Sequence, residues 1–424
     1  MKVPRTAPVL KTEDIDSRVS TDPESIELSN EYNRRYLHWD EIQYRECGRY
    51  GPLNLWYLMK ICRNSTSVHI DFPGMRISYN LPESFHRQLH GIDMSLSTGF
   101  LPAAKMDENR KMMYAVSSMM EESIASSQIE GASTTTKVAK NMLRSNRKPK
   151  DRSEQMILNN YNAMQFIRSR AESPLSLDLI KELHSIISHD TLEEQQYEGN
   201  FRSVDTIAVT DPITEEVFHQ PVPSDVIEPM LTALCDFTNS YKTFIHPIVK
   251  GIIIHFMMAY IHPFMDGNGR VSRSLFYWFT MKNGYGLMEY LSISKAIKEH
   301  RGNYDMAYLL SETDDNDITY FIRYNLEIIT KSMEIFSDYL DRKIREQEEA
   351  LENIRLYGLS TRQEDILAEM IQSGEPFTVY ELSSMFNTQA QNIRKDLIVL
   401  MDNDLVKICG KDSRKIKYIY SGQR

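Results

Sequence analysis

The chain has 424 residues, of which 41% are hydrophobic and 25% charged, and its formal net charge is −10 at pH 7. These values are ordinary for a globular protein of two or three domains, and they exclude general coating of nucleic acid but not one local basic patch. There is no signal-like apolar stretch, no apolar run of about twenty residues and no metal-ligand spacing among the four cysteines, which predicts a cytoplasmic protein without membrane spans or disulfides.

A leader is predicted over residues 1–105. Its first part, residues 1–30, is polar and mixed in charge, which predicts a loosely held tail. Aromatic residues are dense between positions 32 and 63 and predict a helical piece that packs on the core. Alternating residues at 68–79 indicate a short strand pair, and residues 81–96 have the periodicity of a helix.

The second predicted domain spans residues 106–350 and opens with a long helix at about 107–129. Its methionines lie at helical spacing, which indicates core packing. The helix is predicted to end at Glu130, with Gly131 in the position that follows a helix C-terminus. A glutamate at such a place is most often an exposed, solvated side chain.

Further helices are predicted at 153–170, at 177–189 with Ser176 as N-terminal cap, and at 225–240. Between the last two, residues 206–218 have the pattern of two short strands about a turn. From the pattern alone, this segment is a surface hairpin.

The apolar stretch 247–260 predicts a buried helix that begins at Pro247, and a second helix is predicted over 268–282. Pro263 disfavours continuation of the first helix. The connection contains Asp-Gly-Asn-Gly at 266–269, a tight backbone that only glycine adopts without strain. A glycine-bracketed loop at a helix N-terminus presents N–H groups and the positive end of the helix dipole, which predicts an anion site.

The polar side chains of this connection fit phosphate chemistry. Arg270 and Arg273 are three apart and share a helix face, so they can converge on one polyanion. Asp266 is a hard oxygen ligand suited to Mg²⁺, and His262 is the residue of the loop that titrates near neutrality. This combination predicts a site for phosphoryl or nucleotidyl transfer.

Two other interpretations of the connection stay open at this point. It could be a capped helix junction with surface side chains, although eight polar or glycine positions in twelve residues favour a site. It could also be the metal site of a hydrolase, with His255, His262 and Asp266 as ligands. Pro263 argues against the hydrolase because it breaks the helical register between His262 and Asp266.

Residues 262–273 read His-Pro-Phe-Met-Asp-Gly-Asn-Gly-Arg-Val-Ser-Arg. They resemble the motif of Fic proteins, His-x-Phe-x-(Asp/Glu)-Gly-Asn-Gly-Arg-x-x-Arg, at every defined position. Most members transfer AMP from ATP to a hydroxyl group of a target protein. The resemblance implies a mainly α, Fic-type helical bundle with a small β-hairpin flap, with ATP and Mg²⁺ as cofactors. It makes His262 the base and Asp266 the metal ligand. The residues implied to hold the ATP phosphates are Gly267, Asn268, Gly269, Arg270, Val271, Ser272 and Arg273.

The sequence Ser126-x-x-x-Glu130-Gly131 resembles the inhibitory motif of Fic proteins, (Ser/Thr)-x-x-x-Glu-(Gly/Asn). The resemblance implies that Glu130 pairs with Arg273 in the place that the outer phosphate needs, so that the enzyme inhibits itself. In some relatives the same glutamate supports removal of AMP, which leaves the reverse reaction open.

Two further segments resemble parts of Fic proteins. The hairpin at 206–218 resembles the flap, which implies that a target protein docks there by strand addition. Residues 290–304 resemble the segment beside the adenosine, with His300 and Tyr304 as candidate contacts. Relatives often have Asn at the position of His300, and Tyr304 also fits a core aromatic residue.

The third predicted domain, residues 358–424, follows a charged helical connector. Its three helices and two-stranded wing resemble a winged helix-turn-helix. That fold is open to two interpretations: a DNA-binding module, which would make the chain a transcriptional regulator with a secondary Fic domain, or a protein-interaction module that could form a homodimer. The residues that would contact DNA are Gln389, Gln391, Asn392, Arg394 and Lys395 in the major groove and Lys411, Arg414 and Lys415 at phosphates.

Overall fold

The computed structural model describes residues 2–422 except positions 12, 14, 97–107, 211–214, 355–357, 375, 413 and 414. The chain is mainly helical, as predicted, and its strands are short. It divides into two units, Met1–Glu334 and Ile335–Arg424. In the part of the chain that the structure describes, none of the helices combines the length and apolarity needed to cross a membrane.

The first unit begins with the leader, here defined as the residues before position 97. Its elements are α1 (Pro23–Arg34), α2 (Trp39–Ile42), α3 (Gly51–Thr66), β1 (Val68–Phe72), β2 (Met75–Tyr79) and α4 (Glu83–Leu96). The predicted strand pair is confirmed, with Val68 opposite Tyr79 in an antiparallel register. The predicted packing of aromatic residues is confirmed for Tyr32, Tyr36 and Trp56, which are buried, but not for Tyr44, which is 68% exposed.

The prediction of a loosely held tail over residues 1–30 is wrong. Asp22 caps α1 by accepting a hydrogen bond from the N–H of Ser25 (3.0 Å), and Val19 is fully buried. The N–H of Ala7 donates to the carbonyl of Thr313 (2.7 Å). A polar composition hid these contacts because caps and single buried side chains leave no periodic pattern.

The rest of the first unit is a helical bundle. Its helices are α5 (Glu108–Ile129), α6 (Thr136–Arg144), α7 (Arg152–Ser169), α8 (Leu177–Ser188), α9 (Ile227–Asn239), α10 (Pro247–Ile261), α11 (Asn268–Lys282), α12 (Ile293–Glu299), α13 (Arg301–Glu312) and the first part of α14 (Thr319–Ile354), which continues past Glu334 into the second unit. Helix α6 was not predicted. Ala139 and Met142 are its only fully buried side chains, which are too few to give a helical pattern of apolar residues.

Helices α10 and α11 form the centre of the bundle. Residues 248–258 of α10 are all buried, in agreement with their apolar sequence. The two helices approach closely at Gly251, where a Cβ atom would lie 3.2 Å from side-chain atoms of Phe276 and Thr280. This close packing fixes the loop that joins the two helices.

A short hairpin precedes α9. It consists of β3 (Val209–Thr210) and β4 (Val217–His219), which pair antiparallel with Val209 opposite His219. The strands are shorter than predicted from 206–218. The predicted turn at 211–214 lies outside the described residues.

The second unit contains α15 (Thr361–Ser373), β5 (Phe377–Thr378), α16 (Val379–Met385), α17 (Ala390–Asp402), β6 (Val406–Asp412) and β7 (Lys415–Tyr420). Its sheet has the order β5-β7-β6. The helices and the two main strands agree with the prediction, whereas the two-residue β5 was not predicted. Its fully buried core includes Ile366, Leu367, Met370, Leu382, Ile393 and Leu400.

Candidate functional site

The loop between α10 and α11 has the tight backbone that its sequence predicts. His262 ends α10 in the left-handed conformation (φ 50°, ψ 57°), and Gly267 precedes α11 with φ 87°. The side chain of Asn268 reaches back to both the N–H and the carbonyl of Phe264 (2.9 and 2.8 Å). A left-handed histidine is uncommon and persists where its surroundings hold it.

The side chain of His184, on α8, packs against this loop. Its ring stacks on Phe264 with a centroid distance of 3.6 Å. Nδ1 accepts from the N–H of Gly199 (3.0 Å), so Nε2 carries the proton and donates to the carbonyl of Asp266 (2.9 Å). Burial lowers the pKa of His184 to about 4. The ring is therefore a neutral, fixed support, and it was missed by the sequence analysis.

Arg202 holds the same loop from the side of the hairpin. Its guanidinium Nε donates to the carbonyl of His262 (2.9 Å), and its backbone N–H donates to the carbonyl of Pro263 (2.9 Å). Nη1 also donates to the carbonyl of Val204 (3.0 Å). Arg202 thus ties the backbone at His262 to the segment that leads into β3.

The His262 side chain is arranged as a neutral base. Its Nδ1 lies 3.3 Å from the carbonyl oxygen of Ala259. Because that oxygen only accepts, Nδ1 carries the proton and Nε2 keeps a lone pair. Burial, followed by the charge of His219, lowers the pKa of His262 to about 4. Near neutral pH the ring can therefore accept a proton.

The two arginines of α11 have different partners. Arg273 donates from Nε to the hydroxyl of Ser126 (3.0 Å) and from Nη2 to Glu130 Oε1 (2.8 Å). Arg270 is fully buried, and its Nη1 donates to the carbonyl of Ile187 (3.2 Å). Among the described residues, Nε and Nη2 of Arg270 have no hydrogen-bond partner, although Nη2 forms a longer ion pair with Asp266 Oδ1 (3.5 Å). Burial lowers the pKa of Arg270, and nearby carboxylates offset only part of that effect.

Glu130 occupies the N-terminus of α11. A Cβ atom on Gly269 would overlap its Oε1, so the carboxylate lies directly against the backbone there. Burial raises the pKa of Glu130, but the charges of Arg273 and Arg270 outweigh it and hold the pKa below its ordinary value. The chain's own carboxylate thus sits where the sequence predicts an anion.

Asp266 lies at the exposed side of the loop. Its Oδ1 accepts from the N–H of Gly267 (2.5 Å), and Oδ2 is 3.3 Å from Arg152. The side chain is 38% exposed. Oδ1 also lies 3.5 Å from Nη2 of Arg270. A partly exposed carboxylate with two long ion pairs fits a ligand of Mg²⁺, which keeps several waters.

Other predicted site residues face the core. Val271 is fully buried and its N–H donates to the carbonyl of Gly267 (3.0 Å). The Ser272 hydroxyl donates to the carbonyl of Gly269 (2.9 Å). The side chains of both residues are committed to helix packing.

The two candidates on the adenosine side differ from each other. Tyr304 is buried, and its hydroxyl contacts His255 Nε2 (2.8 Å) and the Tyr308 hydroxyl (3.2 Å), in agreement with a core aromatic residue. His300 is exposed at the junction of α12 and α13, where it contacts Lys331 Nζ (2.9 Å).

The hydrolase interpretation finds no support. His255 is bonded to Tyr304 instead of pointing to His262 or Asp266. Within the described part of the chain, the one group of three side chains that could hold a metal ion is His189, Asp190 and Glu198.

Comparison with known proteins adds to this geometry. Residues 174–280 match the profile of the Fic/DOC family. A protein adenylyltransferase Fic of Drosophila willistoni is 30% identical over 102 residues, 24% of this chain and 19% of that protein. One of Nematostella vectensis is 29% identical over 168 residues, 38% of this chain and 35% of that protein. The chain spans about a third or less of the length of these relatives.

Two solved structures share the fold. A Fic family protein of Desulfovibrio desulfuricans G20 superposes with a TM-score of 0.52 at 17% identity, over 80% of this chain and 95% of that chain. Fic-1 of C. elegans (residues 134–508) gives a TM-score of 0.53 at 17% identity, over 75% and 84% of the two chains. The prediction of a Fic-type helical fold is confirmed.

Proposed function

Because the chain contains a Fic/DOC domain at residues 174–280, we propose that it is a protein adenylyltransferase that moves AMP from ATP to a hydroxyl group of a target protein. The observation that carries the proposal is the pairing of two features in one loop. His262 offers a neutral Nε2 with a lone pair. Arg270 offers two buried nitrogen atoms, Nε and Nη2, that form no hydrogen bond with the described residues and whose nearest counter-charge is Asp266 at 3.5 Å. A base and an unsatisfied cation beside a helix N-terminus suit a phosphate substrate.

The chemistry follows from these positions. The hydroxyl oxygen of the target attacks the α-phosphorus of ATP, and its proton passes to Nε2 of His262. The bond between the α-phosphorus and the bridging oxygen breaks, and pyrophosphate leaves. The N–H groups of Asn268 and Gly269 at the start of α11, with Arg270 and Arg273, stabilise the phosphate charge.

Asp266 would hold Mg²⁺, which neutralises phosphate charge when it is bound. His184 and Arg202 keep the loop in place, since they bind the carbonyl groups of Asp266 and His262. Both contacts are made to backbone carbonyl groups, so they do not occupy the side chains of His262 and Asp266.

We further propose that Glu130 inhibits this reaction. It pairs with Arg273 at 2.8 Å and covers the backbone of Gly269, so a triphosphate in the productive pose would have to displace it. The same carboxylate could orient water for removal of AMP, which makes the reverse reaction a second activity to assay. The target protein would pair with the hairpin β3–β4.

The test uses the full chain and ATP labelled at the α-phosphate. Glu130→Gly should raise AMP incorporation more than about tenfold, because a charge-assisted pair that opposes the phosphate is lost. His262→Ala in that background should lower transfer by about 10²-fold or more while ATP still binds. Mass spectrometry of the full chain should show a mass increase that corresponds to one AMP. Label that is incorporated from ATP labelled at the γ-phosphate but not from ATP labelled at the α-phosphate would contradict the mechanism, as would transfer that survives His262→Ala.

A second candidate function belongs to the Ile335–Arg424 unit. Gln391, Arg394 and Lys395 are exposed along α17, as DNA binding requires, but Ile398 beside them is 51% exposed and suits a protein partner. Lys411 and Lys415 have side chains outside the described set, and Arg414 lies outside the described residues. Fluorescence anisotropy with duplex DNA at low and high salt distinguishes DNA binding from protein binding. DNA binding is supported if the affinity falls as the salt concentration rises and if Lys395→Ala weakens it.

A further inference from the structure

Glu122 lies on the same face of α5 as Ser126 and Glu130, at spacings of four and eight residues. Its side chain is buried, with 1% of the residue exposed. Burial raises the pKa of Glu122. A buried carboxylate is costly unless it accepts several hydrogen bonds, so its presence on this face requires a partner.

The partner is the segment 292–294 at the start of α12. Oε2 of Glu122 accepts from the N–H of Ser294 (2.8 Å) and from the hydroxyl of Ser292 (3.3 Å). Oε1 accepts from the hydroxyl of Ser294. The carboxylate therefore caps the N-terminus of α12 from a different helix.

The remaining polar contacts between the two pieces are more exposed. Glu121 pairs with Lys295 (3.2 Å), and Gln128 accepts from Lys298 (2.6 Å). Both lysines are exposed, and exposed pairs of this kind contribute little. Of these contacts between α5 and α12, the one made by Glu122 is buried and directional. Two buried hydrogen bonds, from Ser127 to Met156 and from Asn160 to Ser123 (3.2 Å each), also join α5 to α7.

We propose that Glu122 is a positioning residue for self-inhibition, which holds α5 in the register that brings Glu130 to Arg273. One residue of helix corresponds to about 1.5 Å of rise and about 100° of rotation. A slip of that size would break the 2.8 Å contact between Glu130 and Arg273. The inference rests on the proposed function and names the residue on which its regulation depends.

The test is AMP incorporation by full-length Glu122→Gln, with Glu121→Gln as the matched control on the neighbouring, exposed position. Glutamine keeps the shape of the side chain but turns one acceptor into a donor opposite Ser294. Transfer should rise about fivefold, the effect of one lost buried hydrogen bond. Glu121→Gln should leave transfer unchanged, and Glu122→Gln should add nothing in the Glu130→Gly background.

A purely structural role predicts the opposite sign, because loosened packing lowers activity. Ser294→Ala, which removes only one hydroxyl, provides a second variant if Glu122→Gln fails to fold by circular dichroism. If neither folded variant raises transfer while Glu130→Gly does, the inference is overturned and the proposed function stands. If Glu130→Gly itself transfers no AMP, both are overturned.

Discussion

The leader and the loop at residues 262–273 each depend on a buried arginine, but they surround it in opposite ways. Arg63 in the leader donates to Asn33 Oδ1 (2.8 Å), to the Tyr320 hydroxyl (2.9 Å) and to the carbonyl of Leu37 (2.8 Å). Arg270, at the start of α11, donates one hydrogen bond to a carbonyl group, and its Nη2 lies 3.5 Å from Asp266 Oδ1. Among the described residues, its Nε and Nη2 have no hydrogen-bond partner.

The electrostatic surroundings of the two arginines also differ, and they shift the two pKa values in opposite directions. Burial works against the charge of Arg63, yet Tyr320, Tyr36 and Asp314 raise its pKa above the ordinary value. Burial lowers the pKa of Arg270. Removal of a fully bonded buried cation leaves its partners unpaired and destabilises the fold. A buried cation with unsatisfied N–H groups requires another explanation, and the phosphate site proposed above supplies one.

The largest effect is expected at the fully bonded side chain. Arg63→Met should lower the free energy of unfolding by about 3–5 kcal/mol, because Asp314, which lies 3.8 Å from Arg63, loses one of its two nearby cations. Chemical denaturation monitored by circular dichroism measures the change. A loss below about 1 kcal/mol would mean that the leader network is not structural.

Arg270→Met should show the reverse pattern. In the Glu130→Gly background we expect AMP transfer to fall about 10²- to 10³-fold, because the phosphate loses a buried cation. The free energy of unfolding should change by less than about 1 kcal/mol, since few protein hydrogen bonds are lost. A large loss of stability with transfer retained would remove the contrast between the two arginines.

Buried histidines in the two regions add a pH dependence of stability to this comparison. Burial lowers the pKa of His38 in the leader and of His184 beneath the loop to about 4, and of His255 in the core to about 3. Each favours the neutral form, so its contribution to stability is complete above the unfolded pKa of about 6.5 and is lost as pH falls toward the folded value.

His38→Gln should therefore reduce the pH dependence of the free energy of unfolding between pH 6 and 4.5 by about 1.4 kcal/mol per pH unit. This slope corresponds to one proton taken up on unfolding. Urea denaturation of both proteins across that range measures the difference. The pH profile of AMP transfer should keep its shape, because His38 does not contact the loop. Identical slopes for the two proteins would show that His38 is not held neutral.

The sequence predicted the features that depend on local chemistry. Pro247 at the start of α10, Ser176 as the cap of α8 and positive φ at Gly267 all follow from neighbours within a few positions. The motif at 262–273 likewise predicted a helix-loop-helix with a glycine-bracketed turn.

Contacts between distant positions could not be predicted in this way. His184 binds the carbonyl of a residue 82 positions away, and Arg202 one 60 positions away. Both contacts are to backbone oxygen atoms, which no side-chain pattern reports. The buried position of His184 on an apolar helix face was the available signal, and it equally fits a core histidine.

The carboxylate that lies on Gly269 belongs to the same polypeptide as the loop it covers. Its local concentration is therefore fixed by the tether of α5 and does not change when the protein is diluted. The fraction of molecules in which Glu130 lies on Gly269 is the same at nanomolar and at micromolar protein concentrations. Under the inhibition proposed above, ATP would compete with this carboxylate at every protein concentration, and AMP transfer would begin with a movement of α5.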